Sequence, residues 1–314
     1  MAYKHTFTKC KTMRILIYGS HAILLHLCKV DGKIPFNSSS VVLLIELNKL
    51  LFSLSMLAPE VYSKSLKLPT FMQCVPFAIP ALLYCINNNI VVHIQLYIDP
   101  ASFQVLSNLK IASTALLYRS IIRRRLTRLQ WLSMWLLMFA GISNSYGGLR
   151  LTGKLESPRE IYITVYGLLL IVIYCALSGL AGVYTEYILK KNYQSSLHLQ
   201  NSLLYTFGVV ISLVTYSVSS WNSPYTFTHG YTKHTVIIII TQAMLGLIMS
   251  AVMKHTSNII RLFIITCAML VTTSLSMVLW NLQINFYFGL AFVLVFIALL
   301  LYHKRYNMYI VRHF

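Results

Sequence analysis

Two cations in this sequence stand where cations are costly. Lys110 falls in the middle of one apolar stretch and Arg261 near the start of another. If these stretches cross a bilayer, a basic side chain at mid-depth costs about 2.5–3.5 kcal/mol on insertion scales. Each must then face a protein interior and find an anionic partner. The chain offers few. Of 7 Asp and Glu, Asp31, Glu60, Asp99, Glu156 and Glu160 fall in loops or at the edges of apolar runs, and only Glu46 and Glu186 lie within them. Glu46 and Lys49 are three residues apart, share a helix face and can pair; we read this pair as structural. Glu186 lies four residues before Lys190. Lys110 and Arg261 are left without an evident acid. Lys110 could reach helix-end carbonyls, or Glu46 could serve two bases. Alternatively, a cavity lined with surplus positive charge takes an anion, and phosphate suits both side chains, Arg through a bidentate fork.

The polar residues near these charges suit a nucleotide. Asn87 and Asn88 carry amides that can hydrogen-bond a base edge, and Tyr84 and Tyr205 offer faces for stacking. Gln104, Asn108, Thr114, Ser178 and Asn201 add donors and acceptors at membrane depth. Each of them can also act as interhelical glue, and Gly167, Gly179 and Gly182 can serve close helix approach. Enzyme motifs are missing. There is no H-E-x-x-H, no glycine-rich phosphate loop, no G-x-S-x-G and no intramembrane acid pair. The ten histidines are dispersed without ligand spacing. No catalytic residue, metal or cofactor is expected.

The elements that must position these residues follow from composition. Hydrophobic residues make up 57% of the 314 and charged residues 11%. A soluble domain carries about 25% charged residues, so this chain cannot cover a water-facing surface of its own. Disorder and a secreted disulfide scaffold are excluded. Cys10, Cys28, Cys74, Cys85, Cys175 and Cys267 are scattered through apolar runs and read as apolar filler. A spanning helix needs about 20 apolar residues. Ten such runs are found, at about 13–30, 39–58, 72–95, 101–121, 129–147, 163–188, 199–219, 234–253, 258–280 and 284–303. The first imitates a signal peptide but lacks a small-residue cleavage site, and reads as a retained span.

Charge sets the orientation. The net charge is +19, from 26 Lys and Arg. With a cytosolic N-terminus, roughly three times as many basic residues fall on the cytosolic side as on the other. The surplus is therefore a topology signal rather than a nucleic-acid footprint, and both termini are expected in the cytosol. The Arg119–Arg128 cluster stops transfer and meets lipid phosphate. Asn37-Ser38-Ser39 matches a glycosylation signal but lies too close to the second span to expect a glycan. The longest connection, 148–162, separates an N-terminal half (1–147) from a C-terminal half (163–314). Five spans in each half is an odd number, so the second set enters from the opposite side, as in an inverted repeat. Asn108-Leu109-Lys110-Ile111 is echoed by Asn258-Ile259-Ile260-Arg261.

Longer motifs carry a resemblance. F-Q-V-L-S-N-L-K-I-A-S-T-A-L at 103–116 is similar to the fourth span of the CMP-sialic acid and UDP-galactose transporters. S-G-L-A-G-V-Y-T-E at 178–186 resembles their S-G-x-A-G-V-Y-x-E, E-L-N-K-L-L at 46–51 their E-x-x-K-L-L, and L-Q-I at 282–284 their L-Q-I. The runs at 18–22, 30–33, 99–110 and 253–257 narrow the likeness to subfamily A of solute carrier family 35. By these motifs the chain is identified as a member of the nucleotide-sugar transporter family. It departs from its relatives at Arg261, where they place Lys, at Lys254-His255-Thr256-Ser257-Asn258, where they carry an acid, and at Ser107, where they carry an aromatic.

The resemblance implies an all-α membrane protein of the drug/metabolite-transporter fold, with ten transmembrane helices as two inverted five-helix repeats. It implies a multi-pass protein of the Golgi membrane, with the ER as the lesser choice. The implied activity is exchange of a cytosolic nucleotide sugar for a lumenal nucleoside monophosphate. Lys110 and Arg261 would hold phosphate, and Asn87, Asn88 and Tyr84 would face the nucleoside. Ser178, Gly179, Gly182, Asn201 and Tyr205 would complete the pocket, with Gln104 and Thr114 beside it. Pyrimidine nucleotides are expected, linked through UDP, CMP or CDP to a sugar or an alditol. A scaffold that kept the fold and lost its cargo is the alternative, and an exchanger of small phosphate metabolites a third reading. Nucleic acid is not an expected partner; monomer and homodimer are both left open.

Overall fold

The computed structural model describes residues 37–62, 69–94, 97–98, 100–123, 126–151, 164–221, 226–280 and 285–311. The first expected span, most of the 148–162 connection, and Arg124 and Arg125 lie outside these residues. The described chain is α-helical: α1 Ser38–Tyr62, α2 Phe71–Cys74, α3 Ala78–Ile94, α4 Pro100–Leu106, α5 Lys110–Ile121, α6 Arg128–Leu151, α7 Val165–Lys191, α8 Leu197–Ser220, α9 Lys233–His255, α10 Asn258–Trp280 and α11 Phe286–Val311. These helices fall on the second to tenth apolar runs of the sequence. Among the described residues six helical stretches are long and apolar enough to cross a membrane, namely α1, Phe71–Val91, α7, α8, α9 and Asn258–Leu275.

Two runs are interrupted. The third contains three consecutive asparagines, yet α3 continues through Asn87–Asn89; the tightening comes earlier, as a 3-10 turn at Val75–Phe77 around Pro76. Proline lacks the N–H that an α-helix interior needs. The fourth run tightens into a 3-10 turn at Ser107–Leu109, between α4 and α5. After α5 the backbone turns at Arg123, in the left-handed region at φ 57°.

Helix faces carry large apolar side chains with no protein over them, among them Leu51, Val172, Val214, Val218 and Phe292. Such faces suit lipid, whereas a soluble monomer rarely exposes so much apolar surface.

The chain forms two compact units. One comprises Met1–Cys85 with Tyr184–Asn258, the other Ile86–Val183 with Ile259–Phe314. Each takes residues from both sides of the 148–162 connection. In the first unit α1 packs on α8 and α9, and Phe77, Ile188, Leu189 and Met253 form a core. In the second, α6 packs on α11, α5 and α4. Its larger core includes Ile111, Tyr118, Leu137, Ile259, Phe263 and Val295, and a smaller one gathers Ile94, Ile98, Ile171 and Tyr174. Small residues let α6 and α11 approach closely. A Cβ on Gly147 would lie 2.9 Å from that of Tyr287, and Ser143 donates to the Tyr287 carbonyl at 2.8 Å. The cysteines among the described residues, Cys74, Cys85, Cys175 and Cys267, are free thiols.

Candidate functional site

In the second unit the fourth apolar run positions Lys110. The 3-10 turn ends there, so Lys110 is the first residue of α5. Lys110 is half-buried, and the charge of Arg261, in the first turn of α10, acts on it. Two cations thus act on one another where the 3-10 turn passes into α5. Among the described residues no carboxylate pairs with Lys110. Like charges at this range repel, and an anion relieves them.

The wall beside Lys110 is close-packed. Ser113 donates to the Cys175 carbonyl at 2.6 Å, tying α5 to α7. A Cβ on Gly179 would lie 3.0 Å from Ser113 Oγ and 3.1 Å from the Thr114 backbone nitrogen. Gly179 therefore lies in close contact with α5. Thr114 is buried, and its hydroxyl donates to the Lys110 carbonyl at 2.7 Å. Gly182 is buried and Ser178 half-buried on α7. Asn87 is buried, and its Oδ1 accepts no hydrogen bond among the described residues. Asn88 and Gln104 are exposed, so the two amides of the Asn87–Asn88 pair are in different surroundings.

The first unit holds a separate polar cluster. Lys49 pairs with Glu46 at 2.5 Å, and its ammonium also lies 4.6 Å from the centre of the Tyr205 ring. Such a cation is attracted by the negative face of the ring. The Tyr205 hydroxyl hydrogen-bonds Ser250, and Ser250 Oγ donates to Asn201 Oδ1. Tyr205, Asn201 and Ser250 are all buried. Tyr84 is near enough for its hydroxyl to interact electrostatically with Tyr205. Two glycines seat the ion pair. A Cβ on Gly208 would lie 2.7 Å from Glu46 Oε2, and one on Gly246 2.7 Å from Lys49 Cδ. The Glu46–Lys49 pair is therefore part of the Tyr205–Asn201 cluster as well as a salt bridge along α1.

The other intramembrane acid is committed to structure. Glu186 is fully buried. It accepts from Lys190 at 2.6 Å and from the Asn258 backbone N–H at 2.6 Å. Lys190 also donates to the Thr256 carbonyl at 2.5 Å. Lys254 donates to the Ser195 carbonyl at 2.5 Å, and Gln200 caps α7 through the Leu189 and Asn192 carbonyls. The connections at this end of the unit are thereby pinned.

Sequence reasoning missed Ser250, Gly208 and Gly246. Their signal is weak, because a lone serine or glycine on an apolar helix has no spacing signature. It counted Asn108 as one more polar group and as the head of the Asn108–Ile111 echo, with no structural role. In fact the Asn108 amide donates to the Gln104 carbonyl at 3.0 Å, the Val105 carbonyl at 3.2 Å and Ser145 Oγ at 3.3 Å.

Long apolar helices with large apolar side chains on their outer faces are those of a multi-pass membrane protein. The model of the nucleotide-sugar transporter family matches residues 4–303, and the chain belongs to that family. Its relatives include proteins named Probable UDP-sugar transporter protein SLC35A4. That of Xenopus tropicalis is 49% identical, covering 93% of this chain and 90% of its own. That of Danio rerio is 48% identical, over 92% and 91%, and that of Homo sapiens 44%, over 91% and 90%. A protein of known crystal structure shares the fold with a TM-score of 0.69, covering 95% of this chain and 96% of that one at 10% identity. Relatives named as transporters place the chain outside the enzymes.

Proposed function

We propose that the chain is an antiporter exchanging a cytosolic pyrimidine nucleotide sugar for a lumenal nucleoside monophosphate by alternating access. The observation that carries this reading is Lys110 at the start of α5 with the Arg261 charge acting on it. A phosphate beside Lys110 would offset its charge and that of Arg261. Without cargo the charge of Lys110, which no carboxylate pairs among the described residues, resists closure, which favours exchange over leak.

The further assignments rest on the same reading. Asn87 Oδ1, buried with no donor among the described residues, suits an N–H of a base edge, such as the uracil imide. Tyr84, Asn88, Gln104, Thr114, Ser178, Gly179, Gly182, Asn201 and Tyr205 are proposed to contact cargo or to shape its site. The UDP-sugar in the relatives' names favours uracil, and CMP- or CDP-linked sugars and alditols remain in scope. The architecture proposed is ten spans in two inverted halves, 1–147 and 163–314, joined by 148–162. Golgi residence, cytosolic termini, lipid phosphate at Arg119, Arg123 and Arg128, and a homodimer belong to the same proposal.

The test is uptake of labelled UDP- and CMP-sugars into proteoliposomes preloaded with UMP or CMP. Lys110→Ala and Arg261→Ala are each expected to lower exchange by about tenfold or more. Full activity in both variants overturns the phosphate assignment. A ligand that binds only the folded state raises the melting temperature. Silence across UDP-, CMP-, CDP- and GDP-linked compounds would instead favour a scaffold that has lost its cargo.

A further inference from the structure

We propose that Asn108, seated on Gly141 and Ser145, is the positioning residue that aims Lys110 at its anion; this deepens the phosphate reading above and rests on it. The fourth apolar run has nothing local that should break it. From Phe103 to Leu116 it contains neither proline nor glycine. Yet the helix tightens to a 3-10 turn at Ser107–Leu109, directly before Lys110. A mid-helix 3-10 turn needs a cause, and side chains inserted into the carbonyl ladder are one.

Asn108 is that insertion. In a continuous α-helix the Gln104 and Val105 carbonyls would accept from the backbone N–H groups four residues on. Here both accept from the Asn108 side-chain amide, at 3.0 and 3.2 Å. The same nitrogen reaches Ser145 Oγ on α6 at 3.3 Å. Asn108 Oδ1 fills the space that a Cβ on Gly141 would occupy. The side chain, only 6% exposed, is held at its nitrogen by Ser145 and at its oxygen by Gly141. The seat lies on α6, so packing rather than local propensity maintains the break.

The consequence for Lys110 is geometric. An α-helix turns about 100° per residue and a 3-10 helix about 120°, with about 0.5 Å more rise. Three residues in the tighter form therefore rotate α5 by about 60° and advance it by about 1.5 Å. If Asn108 lets go and the run relaxes to a continuous helix, Lys110 points elsewhere on the bundle. A misplaced ammonium weakens the charge-assisted bond to the anion, and so weakens binding.

The experiment compares Asn108→Ala, Gly141→Ala and the double variant in the proteoliposome exchange assay, with melting shifts by UMP and by uridine. Each single variant is expected to raise the KM for nucleotide sugar by about tenfold, with turnover at saturation changed by less than about threefold. UMP stabilisation should fall while uridine stabilisation persists, because only the phosphate contact is misaligned. Gly141→Ala acts by displacing Asn108, so the double variant should be no worse than Asn108→Ala alone. Ser145→Ala, which removes a single acceptor, should move KM in the same direction by about threefold and serves if the others fold poorly. Unchanged KM, independent effects that multiply in the double variant, or equal loss of UMP and uridine binding would each overturn the inference. Lys110→Ala separates it from its premise. If Lys110→Ala raises KM and the Asn108 variant does not, positioning fails and the phosphate reading stands; if Lys110→Ala leaves KM unchanged, the phosphate reading itself fails.

Discussion

The Lys49 ammonium lies 4.6 Å from the centre of the Tyr205 ring while pairing with Glu46 at 2.5 Å. One cation thus joins a carboxylate on its own helix to an aromatic ring on α8. Ser250 takes up the other end of that tyrosine through its hydroxyl. The two functions of Tyr205 can be separated. Tyr205→Phe keeps the ring under Lys49 and loses the bond to Ser250, at a cost of about 1 kcal/mol. Tyr205→Leu also removes the charged-ring contact and changes the packing, for about 3 kcal/mol in total. Denaturation in detergent should rank wild type, Phe and Leu in that order. A Phe variant as unstable as Leu would assign the stabilisation to the hydroxyl.

The glycines fall into two groups by what a methyl group would strike. At Gly179 the added carbon meets the Thr114 backbone, which cannot turn aside. Gly179→Ala should push α5 and α7 apart and destabilise by about 1–3 kcal/mol. At Gly208 and Gly246 it meets the mobile parts of Glu46 and Lys49. There the fold should survive, with melting within about 2 °C of wild type, while the ion pair is displaced and exchange drops. Melting curves and uptake measured on the same three variants check the contrast. Equal destabilisation at all three would remove it.

Glu186 should be the least replaceable acid of the described chain. It is fully buried, with a lysine and a helix N-terminal amide as partners. Glu186→Ala strands the Asn258 N–H and removes the counter-charge of Lys190, for about 3–5 kcal/mol. Lys190 is about one-third exposed, so Lys190→Met should cost less. Yields of folded protein and detergent denaturation midpoints give the comparison. A milder effect at Glu186 than at Lys190 would contradict the assignment.

Asn37 should remain unglycosylated despite its Asn-Ser-Ser context. Its Oδ1 accepts from the Ser39 backbone N–H at 2.9 Å, which makes it the N-cap of α1. The amide oxygen is engaged at the start of a helix. No mobility shift is expected on glycosidase treatment of protein from a eukaryotic host. Asn37→Ala should cost about 1 kcal/mol and Asn37→Asp much less. A glycosidase-sensitive band lost in Asn37→Ala would overturn the expectation of no glycan.

Much of this protein was legible as a one-dimensional pattern. Apolar run length and scarcity of charge determine that helices lie over the second to tenth runs, because a bilayer admits backbone only in closed hydrogen-bonded form. The shortage of acids singled out Lys110 and Arg261, and the three-residue spacing paired Glu46 with Lys49, because both follow from counting and helical periodicity. Contacts across space left no such trace. That α4 stops at Leu106 and α5 restarts at Lys110 depends on Gly141 and Ser145, more than thirty residues away. That Glu46 and Lys49 rest against Gly208, Gly246 and Tyr205 depends on how α1 meets α8 and α9. Apolar sequence specifies that a helix must bury one face or show it to lipid; which small residue opposes which polar one is decided by van der Waals contact and by the need to pair each buried polar group. Those requirements are met only once the helices are packed.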